Sequence, residues 1–339
     1  AVIVSTPDHT HFHPSMIALT MGKHLYCEKP MAHSVWEVRE MTKLAAQKQL
    51  ATQLGMQRHA MANMHRVVEL IKSGAIGDVS EVYSWIGSNR GMPAQPVKTV
   101  PVPKTLDWDL WIGPAKFRPY AVNAKGDGAL APYNWRFWWD YGTGETGNFG
   151  CHILDIPFWA LDLKYPTRVD ATGPNIDAER TPTEMQTSFA FPANDKRPAI
   201  KLHWAQSKNG PAILKEKGVN LKGANTLFIG SKGMLLTGFG SYQLFPEKTF
   251  EGFKAPDQFL PDSPGFHQEW TNACKGDAPA TCNFDYSGPL SETVLLGNTA
   301  YRAGGGFDWD ASSLTATGNN SAKPYLFSKF RKGWEEFTS

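Results

Sequence analysis

The first fifty-five or so residues alternate strand-like and helix-like patterns, and that alternation constrains the fold more than any other feature of this 339-residue chain. Residues 1–6 (AVIVST) form an apolar run that stops at the turn Pro7-Asp8, the pattern of a strand buried on both faces. A helix is predicted from about Phe12 to Met21, with Pro14 tolerated in its first turn and Gly22 as its stop. Residues 23–27 (KHLYC) predict a second strand. Ser34-Val35-Trp36-Glu37 has capping-box spacing: the serine oxygen accepts from a free backbone N–H while the glutamate reaches back, which starts a helix to about Lys48. Residues 50–54 (LATQL) predict a third strand. This β-α-β-α-β order belongs to a parallel, doubly wound sheet, of which it makes one half.

Beyond residue 58 the pattern changes. An amphipathic helix over Ala60–Lys72 carries Val67, Val68 and Ile71 on its buried side, and an alternating strand follows at 79–86 (VSEVYSWI). Residues 87–134, rich in Pro, Gly and aromatics, predict a long ordered excursion. Strands are predicted at 183–191, 199–206, 225–230 and 233–237, the last two joined by the hairpin turn Gly-Ser-Lys-Gly at 230–233. Helices are expected near 263–275 and 287–303. The organisation expected is a parallel α/β unit over 1–58, an α+β domain over 59–310 with a large open, mostly antiparallel sheet, and a tail over 311–339 packing back on the structure.

Composition narrows the class of partner. With 41% hydrophobic and 19% charged residues the chain is ordinary globular protein, and 34 basic against 32 acidic side chains leave a formal charge of +2. That balance gives no electrostatic reason to expect nucleic acid or an anionic membrane, and no apolar run approaches a membrane span. Cys27, Cys151, Cys274 and Cys282 form no C-x-x-C pair and read as reduced core thiols.

Four stretches carry candidate chemistry. His9, His11 and His13 follow the first strand; they read either as a zinc site, completed by Asp155, His203 and His267, or as polar residues of a strand-to-helix turn. Such a turn lies at the carboxyl edge of a parallel sheet, where ligands bind. Glu28-Lys29-Pro30 ends the next strand on the same edge. GTGETG at 142–147 matches G-x-G-x-x-G, yet the preceding WRFWWDY is an aromatic cluster and not the β-branched strand a phosphate loop needs. The match is therefore a decoy, whose glycines start a helix carrying Asn148 and His152 four residues apart on one face. A histidine there can take a proton from a substrate hydroxyl, or be a satisfied core residue.

Together these stretches resemble the Gfo/Idh/MocA family of NAD(P)-dependent oxidoreductases. Ser5-Thr6-Pro7-Asp8-His9-Thr10-His11 resembles its Thr-Pro-Asn/Asp-x-x-His turn, and Gly22-Lys23-His24-Leu25-Tyr26-Cys27-Glu28-Lys29-Pro30 its Gly-Lys-His-Val-x-x-Glu-Lys-Pro signature. Gly74-Ala75-Ile76-Gly77, Trp135-Arg136 and Gly142 to His152 resemble further family stretches. The resemblance implies the C-terminal half of a Rossmann sheet, an α+β domain whose open sheet mediates a dimer or tetramer, and hydride transfer between NAD or NADP and a hydroxyl-bearing carbon of a sugar, cyclitol or related carbohydrate. It implies Lys29 and His152 as catalytic residues with Asn148 beside them, and Ser5, Thr6, Pro7, His11, Glu28, Lys29, Pro30, Trp135 and Arg136 against the cofactor. It implies no metal. Alternatives are a redox-neutral NAD-dependent glycosidase of the same family and a non-catalytic sugar or dinucleotide sensor. A cytoplasmic location is expected, with twin-arginine export to the periplasm as its alternative.

Two departures from the family pattern stand out. Asn148 occupies the place of a family aspartate, which removes a carboxylate beside His152. The family's first β-α-β-α-β half, with its glycine-rich loop and ribose-binding acid, does not precede Ala1; at about thirty residues per βαβ unit this is roughly sixty residues. The expectation is a truncated chain that by itself binds NAD(P) poorly.

Overall fold

The structure is a computed structural model that describes residues 1–337. It opens with β1 (Val2–Val4), α1 (Phe12–Thr20), β2 (Leu25–Cys27), α2 (Val35–Gln47) and β3 (Thr52–Leu54). The three strands form a parallel sheet in the order β1-β2-β3, with Ile3 paired to Tyr26 and Tyr26 to Gln53. β2 is shorter than predicted because Gly22 turns the chain at φ +67° and the ring of His24 accepts the Ala51 N–H at 3.0 Å. The capping box at α2 is present in full: Ser34 Oγ accepts from Glu37 N at 3.3 Å and Glu37 Oε2 accepts from Ser34 N at 2.9 Å.

The chain then forms α3 (Ala62–Lys72) and β4 (Val79–Ile86). The aromatic excursion holds only a two-residue pair, β5 (Lys98–Thr99) with β6 (Ala121–Val122), around the short α4 (Trp108–Ile112). Its order comes from packing, since Trp108, Ile112, Leu130, Trp135, Trp138 and Tyr141 bury one another as a separate small core. α5 (Gly144–Ala160) follows, then β7 (Arg168–Thr172), β8 (Met185–Phe191), β9 (Ile200–Gln206), α6 (Ile213–Lys217), β10 (Ala224–Gly230), β11 (Gly233–Gly238) and β12 (Tyr242–Phe245). α7 (Phe266–Cys274), α8 (Phe284–Arg302), β13 (Phe307–Asp310) and β14 (Thr315–Thr317) complete the elements used here.

The second sheet has nine strands in the order β12-β11-β10-β4-β9-β8-β7-β13-β14 and is antiparallel throughout except where β4 runs beside β9. The expected hairpin is there, with Gly230 opposite Gly233. α5 and α8 lie across this sheet and against each other, α8 packing on its other side against α2 and β3, and both are apolar on most sides because they are buried on most sides. The tail returns over α1: Phe330 stacks on Phe12 at 5.8 Å and the His13 ring meets the Trp334 carbonyl at 2.8 Å. Thr338 and Ser339, the end of the tail expected over 311–339, lie outside the described residues. Among the described residues all four cysteines are free.

One buried ion pair ties α2 to α8. Arg39 Nε and Nη2 donate to the two Glu292 oxygens, each at 2.7 Å, and Nη1 donates to the Ala311 carbonyl at 2.7 Å. Glu292 is 1% exposed, and burial raises its pKa against the pull of Arg39. Arg39→Ala is expected to cost about 3–5 kcal/mol of unfolding free energy, because it leaves a carboxylate buried and unpaired. The double variant Arg39→Met/Glu292→Leu is expected to recover most of it. Urea unfolding checks this, and a single-variant loss under about 1 kcal/mol would mean that the pair behaves as a surface contact.

Candidate active site

The turns after β1 and β2 meet the first turns of α5, and what holds them together is a set of polar bonds across that junction. After β1, the buried Asp8 carboxylate accepts from Thr143 Oγ1 at 2.6 Å and from Thr143 N at 3.1 Å. Thr143 is the residue just before α5, and its carbonyl accepts from Asn298 Nδ2 of α8 at 2.8 Å. The free N–H groups at the start of α5 thus meet a carboxylate, as helix N-termini favour.

After β2, Lys29 reaches the same helix. Its Nζ donates to the Asn148 carbonyl at 2.7 Å and to Asn148 Oδ1 at 2.9 Å. Burial lowers the Lys29 pKa; Asp8, Cys151 and Glu28 pull the other way, and Arg136 adds to the lowering. Asn148 Nδ2 in turn faces Glu145 Oε2 at 3.3 Å, and Glu145, fully buried, pairs with Arg90 at 2.5 Å. The asparagine amide therefore bridges a cation and an anion. An aspartate would satisfy Lys29 but place a second carboxylate against Glu145.

His152 lies one helical turn beyond Asn148. Among the described residues its Nδ1 is buried without a hydrogen-bond partner, and its Nε2 makes no hydrogen bond. Burial, the Lys29 charge and the Arg58 charge push its pKa down to about 3, so the ring is neutral at pH 7. His11 is the opposite case. Its Nδ1 lies 2.8 Å from the Pro30 carbonyl and its Nε2 2.7 Å from the Thr6 carbonyl, an arrangement only a doubly protonated ring satisfies. Burial opposes that charge, but Cys27, Asp8 and the Pro30 carbonyl outweigh it and push the pKa up to about 10. His9 sits between the Tyr141 and Trp111 carbonyls at 3.1 and 3.2 Å; there burial and His33 prevail and push the pKa down to about 3.

The structure brings most of the expected residues to one edge. Ser5 and Thr6 are exposed at the end of β1 and Pro7 is half-buried. Glu28 is held by Gln57 Nε2 at 3.0 Å and Tyr26 OH at 3.2 Å, with its carboxylate packed on Gly55, where a Cβ would collide with it. Trp135 is buried in the aromatic core, and the Arg136 guanidinium lies 4.4 Å from its ring centroid and 4.6 Å from that of Tyr133. GTGETG holds no phosphate-loop geometry. Gly142 gives way to the Arg136 backbone, and Gly147 lets Pro30 approach to 3.5 Å of where its Cβ would stand. The zinc alternative finds no shared centre, since His9, His11 and His13 turn their rings to different carbonyls. Among the described residues no group of three His, Cys, Asp or Glu is placed to hold a metal ion.

Sequence reasoning gave no role to Glu145, Arg90 or His59, and placed Asp155 only in the zinc alternative; in the structure His59 Nδ1 lies 2.9 Å from the Asp155 carboxylate. Only Glu145 left a signal, a lone charge in an otherwise uncharged helix start. The donor set fits an anionic dinucleotide. Lys29 and Arg136 act on each other as neighbouring cations, neither bonded to a carboxylate among the described residues, and the His152 ring carries an unsatisfied nitrogen.

A three-stranded parallel edge with cationic and imidazole groups facing a second sheet domain defines a dinucleotide-binding α/β protein. Residues 1–56 match the family model described as "Oxidoreductase family, NAD-binding Rossmann fold", and residues 71–336 match "Oxidoreductase family, C-terminal alpha/beta domain". The chain belongs to the Gfo/Idh/MocA family of NAD-binding oxidoreductases. It is similar to 1,5-anhydro-D-fructose reductase of Ensifer adhaerens, at 37% identity over 79 residues, 23% of this chain and 23% of that protein. The curated relatives are matched over only 21–28% of their own length. Its fold is similar to an NAD-binding protein from Listeria innocua (TM-score 0.58, 14% identity, 91% of this chain and 81% of that one). It is also similar to the WlbA dehydrogenase from Bordetella pertussis, solved with NADH and UDP-GlcNAcA (TM-score 0.55, 15% identity, 87% and 74%). No described helix is long and apolar enough to cross a membrane.

His11 and His152 link to stability with opposite signs. His11, raised from 6.5 to about 10, contributes fully below pH 6.5 and loses that contribution as pH rises towards 10. His152, lowered from 6.5 to about 3, contributes above pH 6.5 and loses it as pH falls towards 3. Ring nitrogen chemical shifts followed against pH are expected to show His11 still doubly protonated at about pH 8 and His152 still neutral at about pH 5. Both rings titrating near their ordinary value would contradict these environments.

Proposed function

We propose that the protein oxidises a hydroxyl-bearing carbon of a sugar, cyclitol or related carbohydrate with NAD or NADP. The observation that carries the reading is the convergence of Lys29 and His152 on one strand edge, with a bonded ammonium on one side and an imidazole whose Nε2 is free on the other. The names of relatives support it, in that one reduces 1,5-anhydro-D-fructose and another was solved with a nucleotide sugar and NADH.

Bound nicotinamide would supply the two-electron hydride acceptor. Ser5, Thr6 and Pro7 would line it on the β1 side, with Glu28, Lys29 and Pro30 on the β2 side and Arg136 against its charge. The Lys29 ammonium, fixed by two oxygens of Asn148, polarises the substrate hydroxyl and stabilises negative charge on its oxygen. His152 takes the hydroxyl proton on Nε2 as the C–H electron pair leaves as hydride, so one proton and one hydride depart and a carbonyl remains. Burial, with the Lys29 and Arg58 charges, makes His152 a weak base, and among the described residues no carboxylate bonds to its ring. The charge on Lys29 therefore carries much of the work of lowering the hydroxyl pKa.

Assayed as NADH or NADPH formation by the intact gene product on a panel of sugars and cyclitols, His152→Ala is expected to lower kcat/KM by about 10²–10⁴-fold. Its ligand affinity should change little. Asn148 in place of aspartate is the one feature that favours a sensor, and a panel giving no substrate-dependent reduction would turn the reading to that class. Asn148→Asp is expected to raise the His152 pKa and move the acid limb of the kcat/KM profile to higher pH. An unmoved limb would mean that His152 does not carry the proton.

A further inference from the structure

The last residue of α8 is a cation that no acid pairs with among the described residues. The Arg302 guanidinium lies 4.9 Å from the Trp139 ring centroid and 4.2 Å from that of Tyr325. It makes no hydrogen bond or ion pair among the described residues. Burial lowers its pKa, and Asp140, the nearby carboxylate, is held by Arg118 at 2.7 Å. An arginine held between two rings, with no bond to its five N–H donors among the described residues, is a pre-organised fork rather than a structural ion.

Arg302 lines a solvent-open cavity of about 340 Å³ between the tail, the 114–116 loop and the turn at His33. A narrow arm of about 20 Å³ runs past it to Gly142 and Thr143. The other polar groups of the wall point to the same ligand. Ser328 Oγ is buried there without a partner. Lys116 and Lys329 stand exposed on the wall, with no ion pair among the described residues. Of the two acids, Asp140 is paired with Arg118, and Glu37 Oε2 is occupied by the backbone N–H groups of His33 and Ser34 at 2.8 and 2.9 Å. None of Lys29, Asn148 and His152 lines this cavity.

We propose that this cavity is a second binding site, for a small organic oxyanion, a carboxylate or phosphate, gripped by the Arg302 fork between Trp139 and Tyr325. Guanidinium matches both oxyanions bidentately, Ser328 Oγ donates a further bond, and the volume suits a compact ligand.

Calorimetric titration of the full chain at constant ionic strength, with sodium benzoate and with inorganic phosphate as probes, tests it. At least one probe is expected to bind at a single site; benzoate alone would assign a carboxylate ligand, phosphate alone a phosphate. Arg302→Met is expected to weaken that binding by about tenfold or more. Arg302→Lys, which keeps the charge and loses the fork, should weaken it less, and carries the test if the methionine variant does not fold. Failure of both probes to bind the wild-type chain, or equal binding by the wild-type and arginine variants, would overturn the proposal.

Discussion

The site depends on how the N-terminal end of α5 is seated against the turns that follow β1 and β2. Two bonds set that seat, Asp8 to Thr143 at the helix start and Lys29 to Asn148 one turn in. Both join residues more than a hundred positions apart, and both are half-buried or buried, where a hydrogen bond involving a charge is strong and leaving it unmade is costly. Gly147 completes the fit, because any side chain there would collide with Thr143. Residues of the parallel sheet and of the helix thus share one edge, and the two sheets are brought together by polar geometry as well as apolar burial.

The charge pattern around α5 explains how an asparagine serves where the family resemblance expects an aspartate. Glu145 already brings a buried carboxylate to the first turn of the helix, neutralised by Arg90. Asn148 then passes the influence of that carboxylate to Lys29 through one amide, donating to Glu145 and accepting from Lys29. The consequence is electrostatic: buried, close to the Lys29 and Arg58 charges, the His152 ring is held neutral and weakly basic, and in the proposed reaction the ammonium would take the larger share of activating a hydroxyl. Arg302, on α8, is the reverse arrangement, a cation with no acid brought to it.

Much of the fold was legible because local signals were strong. The capping box at Ser34 and Glu37, the stop at Gly22 and the hairpin at Gly230–Gly233 act within a few residues, and each appears in place. The strands that sequence reading missed, β5, β6, β7, β12, β13 and β14, are each five residues or fewer and lie in the excursion or towards the two ends of the large sheet. Their pairing is set by neighbours far along the chain and not by their own alternation. The site divides in the same way. Lys29, Asn148 and His152 could be named because they fall within recognisable stretches, and the GTGETG decoy could be rejected from the aromatic run before it. Arg90, which meets Glu145 across 55 residues, and His59, which meets Asp155 across 96, left no local trace. Only the folded chain brings them together.

The central claim is that Lys29 and His152 reach the same substrate oxygen. A crystal structure of the intact gene product with NADH and a bound sugar tests it most directly. The account predicts one sugar oxygen within about 3 Å of both Lys29 Nζ and His152 Nε2. A sugar whose oxygens meet neither group, or a His152 Nε2 turned away onto the protein, would contradict it.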